Sequence, residues 1–232
     1  DMALNHLAQC AVFATEFDFS DTDGAAIADV LRLPAGVTLD QLLPRSAWKN
    51  LDHYARKRLG VPAANLQHQH PMLVSTALTG AFMAEEATHS LDETLWHAAR
   101  SAGKECTGVE TFNEQLETLK KIHLDQHVRS LTWLLKNFGR QRRRLQKMMR
   151  LYADGELQRL YQSAKKDAKG LRRVLLYDRN RLMAQRFGEI AGSQSLFCAV
   201  GAGHLAGQKG MLRLLKKAGF RVRPVLREAS TR

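Results

Sequence analysis

The sequence predicts an α/β fold: a small central β-sheet flanked by helices, with a long helical insertion between two of its strands. Short apolar runs bounded by charged or turn residues recur along the chain, as buried strands do. Long stretches with apolar residues at helical spacing separate them, which suits strands joined by crossover helices. The last run of this kind, Ser195 to Val200, feeds a glycine-dense turn, Gly201-Ala202-Gly203-His204-Leu205-Ala206-Gly207, and Met211 to Lys217 then reads as an amphipathic helix.

Taken in order, the first strand is Ala11-Val12-Phe13-Ala14-Thr15. Thr38 to Leu42 opens a helical stretch that Trp48, Leu51, Tyr54 and Leu59 continue. Pro71 starts the next helix, because proline is favoured in a first turn. Ser90-Leu91-Asp92-Glu93 has the form of a capping box, and Leu91, Leu95, Ala98 and Ala99 then share a helical face. Gly103 ends that helix ahead of the second strand, Glu105 to Val109. From Phe112 to Ala191 there are only helix signals, broken near Gly139, Gly155 and Gly170. The third strand is Leu196 to Val200. A fourth, Phe220 to Val225, alternates apolar and basic residues as a half-exposed edge strand does. Trp48, Trp96 and Trp133 are expected to anchor helix packing. The expected organisation is one domain over residues 1–232, with residues 112–191 as a helical insertion within it.

A chain of 232 residues with 44% hydrophobic content can bury a real core. No apolar run approaches the roughly 20 residues of a membrane-spanning helix. The charge is lopsided: 35 Lys and Arg against 23 Asp and Glu, a net +12 that favours acidic partners, anionic membrane or nucleic acid. Much of it lies in Arg140 to Lys147 and in Lys165 to Arg173. Without an RNP-type motif or zinc-finger spacing, nucleic acid is set aside, and the first stretch reads as the solvated side of a helix with Leu145, Met148, Met149 and Leu151 turned to the core. An anionic membrane surface or partner stays open. Cys10, Cys106 and Cys198 are widely spaced and read as small buried hydrophobes, with one disulfide left open.

Three strand ends finish on residues that bind metals or move protons: Glu16 after the first, Glu110 after the second and His204 after the third. If the strands are parallel, the carboxylates and the imidazole converge at one sheet edge within roughly 8 Å, where such sheets place ligands. Two carboxylates and a histidine beside glycine turns suit a divalent metal with open positions. Read singly, Glu110 caps the helix that begins at Thr111-Phe112-Asn113-Glu114, and Glu16 is an exposed strand end. His68-Gln69-His70 has no third ligand in view. His123 and His127, four apart, lack the glutamate that zinc helices carry and read as a surface helix.

Gly201-Ala202-Gly203-His204-Leu205-Ala206-Gly207 with Gly210 and Leu214 to Phe220 resembles the carboxyl-terminal signature of the TraB/GumN family, to which the animal Tiki proteases belong. Gly108-Val109-Glu110-Thr111 with Glu114-Gln115-Leu116 is similar to its central motif, and Tyr177-Asp178-Arg179-Asn180 to its Y-D-R-N. Glu16 falls where the family ends its early strand on a glutamate. The family has two G-x-x-H motifs. The second is here, and the first would lie just ahead of Asp1, so the domain is expected to be incomplete at its N-terminus.

The resemblance implies a metal-dependent hydrolase, with a peptide or protein as substrate and a bacterial cell-envelope or periplasmic setting. It implies that Glu16 and His204 hold a divalent ion (manganese, cobalt or zinc). Glu110 would be a third ligand or the base that activates water, and Arg179 would steady a developing oxyanion. Gly201, Gly203, Asp178 and Asn180 are expected to support them; an ion pair of Arg179 with Asp178 or Glu110 is the structural alternative. With one histidine and two carboxylates, the metal is expected to bind weakly or be absent. The competing expectation is a non-catalytic binding module on the same fold, its basic helices facing an anionic partner.

Overall fold

Val12, Phe13, Ala14 and Thr15 are all buried, so neither face of this strand meets water. Such a strand belongs in the middle of a sheet. In the computed structural model, which describes residues 2–82, 90–168 and 170–225, a short helix α1 (Met2–Ala8) leads into β1 (Val12–Thr15). β1 is the central strand of a parallel sheet ordered β2-β1-β3, flanked by β2 (Glu105–Gly108) and β3 (Leu196–Cys198). Val12 stands opposite Glu105 and Leu196, and Ala14 opposite Thr107 and Cys198. All three strands therefore end at the same edge.

The connections are helical, as parallel pairing requires. Between β1 and β2 run α2 (Gly24–Val30), α3 (Leu39–Leu42), α4 (Arg45–Leu59), α5 (Pro71–Gly80) and α6 (Leu91–Ser101). Between β2 and β3 run α7 (Phe112–Lys120), α8 (Leu124–Lys136), α9 (Phe138–Ala153), α10 (Leu157–Asp167), a π turn at Arg173–Tyr177, and α11 (Asp178–Ala191). After β3 come α12 (Ala202–Leu205) and α13 (Met211–Lys217).

The expected starts are present, each with its chemical reason. The Glu93 amide donates to Ser90 Oγ at 3.2 Å, and the Ser90 amide to Glu93 Oε2 at 3.0 Å, which closes the capping box of α6. Pro71 is the first residue of α5, and the His70 ring accepts from the Met72 amide at 3.2 Å in front of it. The cap of α7 is a reciprocal Thr111–Glu114 pair at 2.7 and 3.2 Å, which leaves Glu110 free for another task.

The chain divides into two compact units. The first comprises residues 1–22, 89–115 and 151–232 and holds the sheet. Leu7, Phe13, Leu95 and Ala99 pack one of its clusters, and Ala14, Val109, Met183 and Met211 another. The second comprises residues 23–88 and 116–150 and is helical among its described residues. Leu39, Leu51, Val74, Leu78, Leu131 and Leu135 form its core.

Several expectations need correction. Residues 221–225 form no strand; Phe220 turns its ring onto Phe187 and Gly188, and Val225 is 61% exposed. With the basic residues giving no buried face and Pro224 lacking an N–H, nothing pulls this segment into the ladder. The break expected near Gly139 falls at Asn137, and Gly139 lies inside α9. Trp133 is 44% exposed rather than a packing anchor. His127 is half-buried, its ring 4.8 Å from that of the buried His70, not on a bare helix surface. On α9, Arg140, Arg142, Arg143, Lys147 and Arg150 are exposed, while Leu145, Met148 and Met149 are half-buried and Leu151 is buried. All three cysteines are free.

Candidate active site at the sheet edge

Pairing continues one step past the strands. The Val109 amide donates to the Thr15 carbonyl at 2.9 Å, and the Glu110 amide to the Glu16 carbonyl at 2.7 Å. That register sets Glu16 and Glu110 side by side where β1 and β2 end. On the other flank, the Ala199 amide donates to the Ala14 carbonyl at 2.8 Å, so the chain after β3 leaves beside Glu16 and delivers Gly201 and His204 to it. The sheet edge itself brings the three strand ends together.

Arg179, in the first turn of α11, bridges the two carboxylates. Its Nη2 donates to Glu16 Oε2 at 2.7 Å and to Glu110 Oε2 at 2.5 Å, and its Nε to Glu110 Oε1 at 3.0 Å. Gln115 adds a weak bond to Glu110 at 3.4 Å. The Glu110 side chain is 1% exposed and that of Arg179 17%, so the pairing is made largely out of water. Of the two partners expected for Arg179, Glu110 is found and Asp178 is not. Asp178 turns to Arg181 and Arg173 and stays outside the cluster. The π turn just before Asp178 winds the backbone differently ahead of α11, a local form often found at functional sites.

His204 is buried, and its Nδ1 lies 2.6 Å from Asn180 Oδ1. Asn180 is fully buried, and its Nδ2 donates to the Lys209 carbonyl at 2.7 Å. That second bond fixes which end of the amide faces the ring. A carbonyl oxygen faces Nδ1, so Nδ1 carries the proton and the Nε2 lone pair is left free. Nε2 stands 3.9 Å from Glu16 Oε1, which also accepts from the Gly201 amide at 2.8 Å. A Cβ on Gly201 would come within 3.0 Å of that oxygen, so the close approach needs glycine. Gly203 packs on Ala164.

Burial pushes the His204 pKa down, with the Arg179 charge adding to the effect and Glu16 opposing it, so the ring is neutral near pH 7. For Glu16 burial works to raise the pKa. The charges of His204 and Arg179 and the Gly201 hydrogen bond outweigh it, and the carboxyl lies below its ordinary value. With His204 neutral, the Arg179 cation and the Gly201 amide are the partners that hold Glu16 ionised. The Cys198 thiol, buried near Glu16, is pushed up to about 12 and is inert.

Glu16 Oε1 and His204 Nε2 are the two donors that face each other here. Among the described residues no three His, Cys, Asp or Glu side chains form a metal-holding group, and both oxygens of Glu110 are taken by Arg179. The donor pair, one carboxylate oxygen and one imidazole nitrogen, fits a borderline divalent ion that keeps open positions for water, and does not fit a closed structural site. Sequence reasoning missed Asn180 as the holder of His204, and the Arg186–Glu114 pair at 2.6 Å that ties α11 to α7. The conspicuous Asn180 signal was present in the sequence, but its partner lies 24 residues away.

No solved structure matches this chain. It is 24% identical, over an alignment 265 positions long, to metalloprotease TIKI2 of Danio rerio, and the alignment covers 89% of this chain and 51% of the relative. The chain thus spans about half the length of that protein. The profile of the TraB/PrgY/gumN family matches residues 2–224, nearly the whole length, and the chain belongs to that family.

Proposed function

We propose that the sheet-edge cluster is the site of a metal-dependent hydrolase acting on peptide bonds. The observation that carries this reading is the convergence of Glu16, Glu110 and His204 around Arg179, with the free Nε2 of His204 facing Glu16. The relative named as a metalloprotease supports the same chemistry. Glu16 and His204 would hold a divalent ion, which, when bound, polarises a carbonyl and makes water a better nucleophile. Asn180 keeps the His204 proton on Nδ1 and thereby keeps Nε2 available. Arg179 orients both carboxylates, and its Nη1, which neither carboxylate takes, is the donor for a developing oxyanion. Glu110 takes the proton of the attacking water once the guanidinium turns toward substrate.

A second reading is a non-catalytic binding module, and the occupation of Glu110 and of Glu16 Oε2 by Arg179 favours it. Calorimetric titration with manganese, cobalt and zinc, followed by a peptide-cleavage assay under each, separates the two. Hydrolase chemistry predicts that Glu16→Gln and His204→Ala each weaken metal binding about tenfold or more and abolish turnover. Undiminished metal affinity in both variants removes the metal from this site, and no cleavage under any of the three ions leaves the binding module.

A further inference from the structure

The residues after His204 line more than the sheet-edge cluster. An open cavity of about 720 Å³ is bordered by Tyr161, Lys165, Tyr177, Lys209, Arg213 and Lys216. A smaller one of about 470 Å³ shares Tyr177 and Lys209 and adds Arg172, Arg173 and Arg181. No acidic residue is among the described residues that line either cavity. Arg173 and Arg181 share Asp178, whereas Lys165, Lys209, Arg213 and Lys216 meet no carboxylate among the described residues. Uncompensated cations in a concavity raise the local potential for an anion well above that of a flat surface.

The walls are built rather than merely charged. The Lys209 ammonium sits 4.6 Å from the Tyr177 ring centroid, and Tyr161 lines the same cavity beside them. Gly207 has φ +90°, and any Cβ there would collide with the Tyr161 ring, so this backbone is shaped to admit the tyrosine. Leu157, Leu205 and Leu212 supply apolar area between the charges. Above all, Lys209 belongs to both features: its side chain borders the cavities and its carbonyl accepts from Asn180, which also holds His204.

We propose that this cleft binds acidic peptide segments, with Asp or Glu side chains engaging Lys209, Arg213 and Lys216. On the peptidase reading above, on which this part rests, it is the subsite that presents acidic substrates to His204. A concave, tyrosine-walled cleft matches an extended chain with side chains to insert better than it matches a planar bilayer. Carboxylates accept charge-assisted hydrogen bonds from several cations at once.

The test is fluorescence anisotropy with two labelled octapeptides, alternating Ala-Glu and alternating Ala-Gln, on the full chain. The Glu peptide is expected to bind at least tenfold tighter. Lys209→Ala, and Arg213→Glu with Lys216→Glu, are each expected to cost about tenfold with unchanged circular dichroism, while Arg140→Glu with Arg142→Glu on α9 stays within twofold. Equal binding of the two peptides, or an equal loss from the α9 variant, overturns the proposal. So does tighter binding of single-stranded DNA, or of phosphatidylserine vesicles, through the same three cations. No turnover is needed for this readout, so the two readings fail separately. An acidic peptide bound here but cut under no metal leaves the cleft standing and removes the peptidase reading.

Discussion

Asn180 makes two bonds that no other residue replaces, one to the His204 ring and one to the Lys209 carbonyl, in a fully buried position. Asn180→Ala strands a buried N–H on His204 and a buried carbonyl at Lys209, at a cost of about 1–3 kcal/mol for each. Urea titration is expected to show a lower midpoint with an unchanged slope; a midpoint equal to that of the parent would mean that the loop rearranges freely. Arg179→Met leaves the Glu110 carboxylate buried without its cation and is expected to destabilise by about 3 kcal/mol or more. The double change Arg179→Met with Glu110→Gln recovers most of that loss. Lysine is no substitute, because one ammonium cannot reproduce the fork that reaches both carboxylates. If the single and double variants unfold at the same urea concentration, the pairing energy lies elsewhere. At the same scale, the His204 pKa is lowered, so its contribution is complete above the ordinary histidine value and fades as pH falls below it. Binding through Nε2 follows that direction, and a metal titration repeated at pH 7.5 and pH 5.5 checks it.

At the scale of elements, α5 and α8 carry the pH response of the helical unit. His70 caps α5 with an unprotonated ring, and burial, with the His127 charge behind it, pushes its pKa down to about 4. His127 on α8 is lowered by burial too. Arg32 and Lys120 line the same small cavity and disfavour a further cation there. The unfolded chain takes up protons near pH 6.5 that the folded one refuses until about pH 4, so stability is complete above pH 6.5 and falls across that window. Replacing His70 by Asn keeps a good cap and removes the titration. Its urea midpoint is expected to change less between pH 7 and pH 4.5 than that of the parent; an identical pH slope would assign the effect to other groups. The exposed arginines of α9 sit over a half-buried apolar side, the pattern of a solvated helix. Binding of DNA or RNA that persists at physiological salt and depends on Arg140, Arg142 and Arg143 would reverse that assignment.

For the whole molecule, each unit has its own apolar core, and the chain passes between the units at residues 22–23, 88–89, 115–116 and 150–151. Separate cores are the physical basis for separate cooperative transitions. Trp96 packs in the sheet-bearing unit, and Trp48 in the helical one. Single-tryptophan variants followed by fluorescence in urea are expected to give two midpoints that do not coincide. Superimposable curves would mean that the two cores melt as one.

The sequence by itself marked the three strands of the sheet, with their parallel pairing left as a condition, together with the capping box at Ser90 and the helix start at Pro71. It also marked Glu16, Glu110 and His204 as strand-end residues. Each of these is a local matter: an apolar run, a capping pattern or a glycine turn is written in adjacent residues. What Arg179 and Asn180 do was decided only in three dimensions, because their partners lie 69 and 163 residues away for the arginine and 24 and 29 for the asparagine. The same holds for His127, whose burial against His70 no helical pattern shows, and for Phe220 to Val225, whose alternation promised a strand. A strand forms only where a neighbour offers an edge and a face is buried, and that is a property of the assembled sheet. The split into two cores is likewise absent from any local signal, since each unit is gathered from separated stretches of the chain.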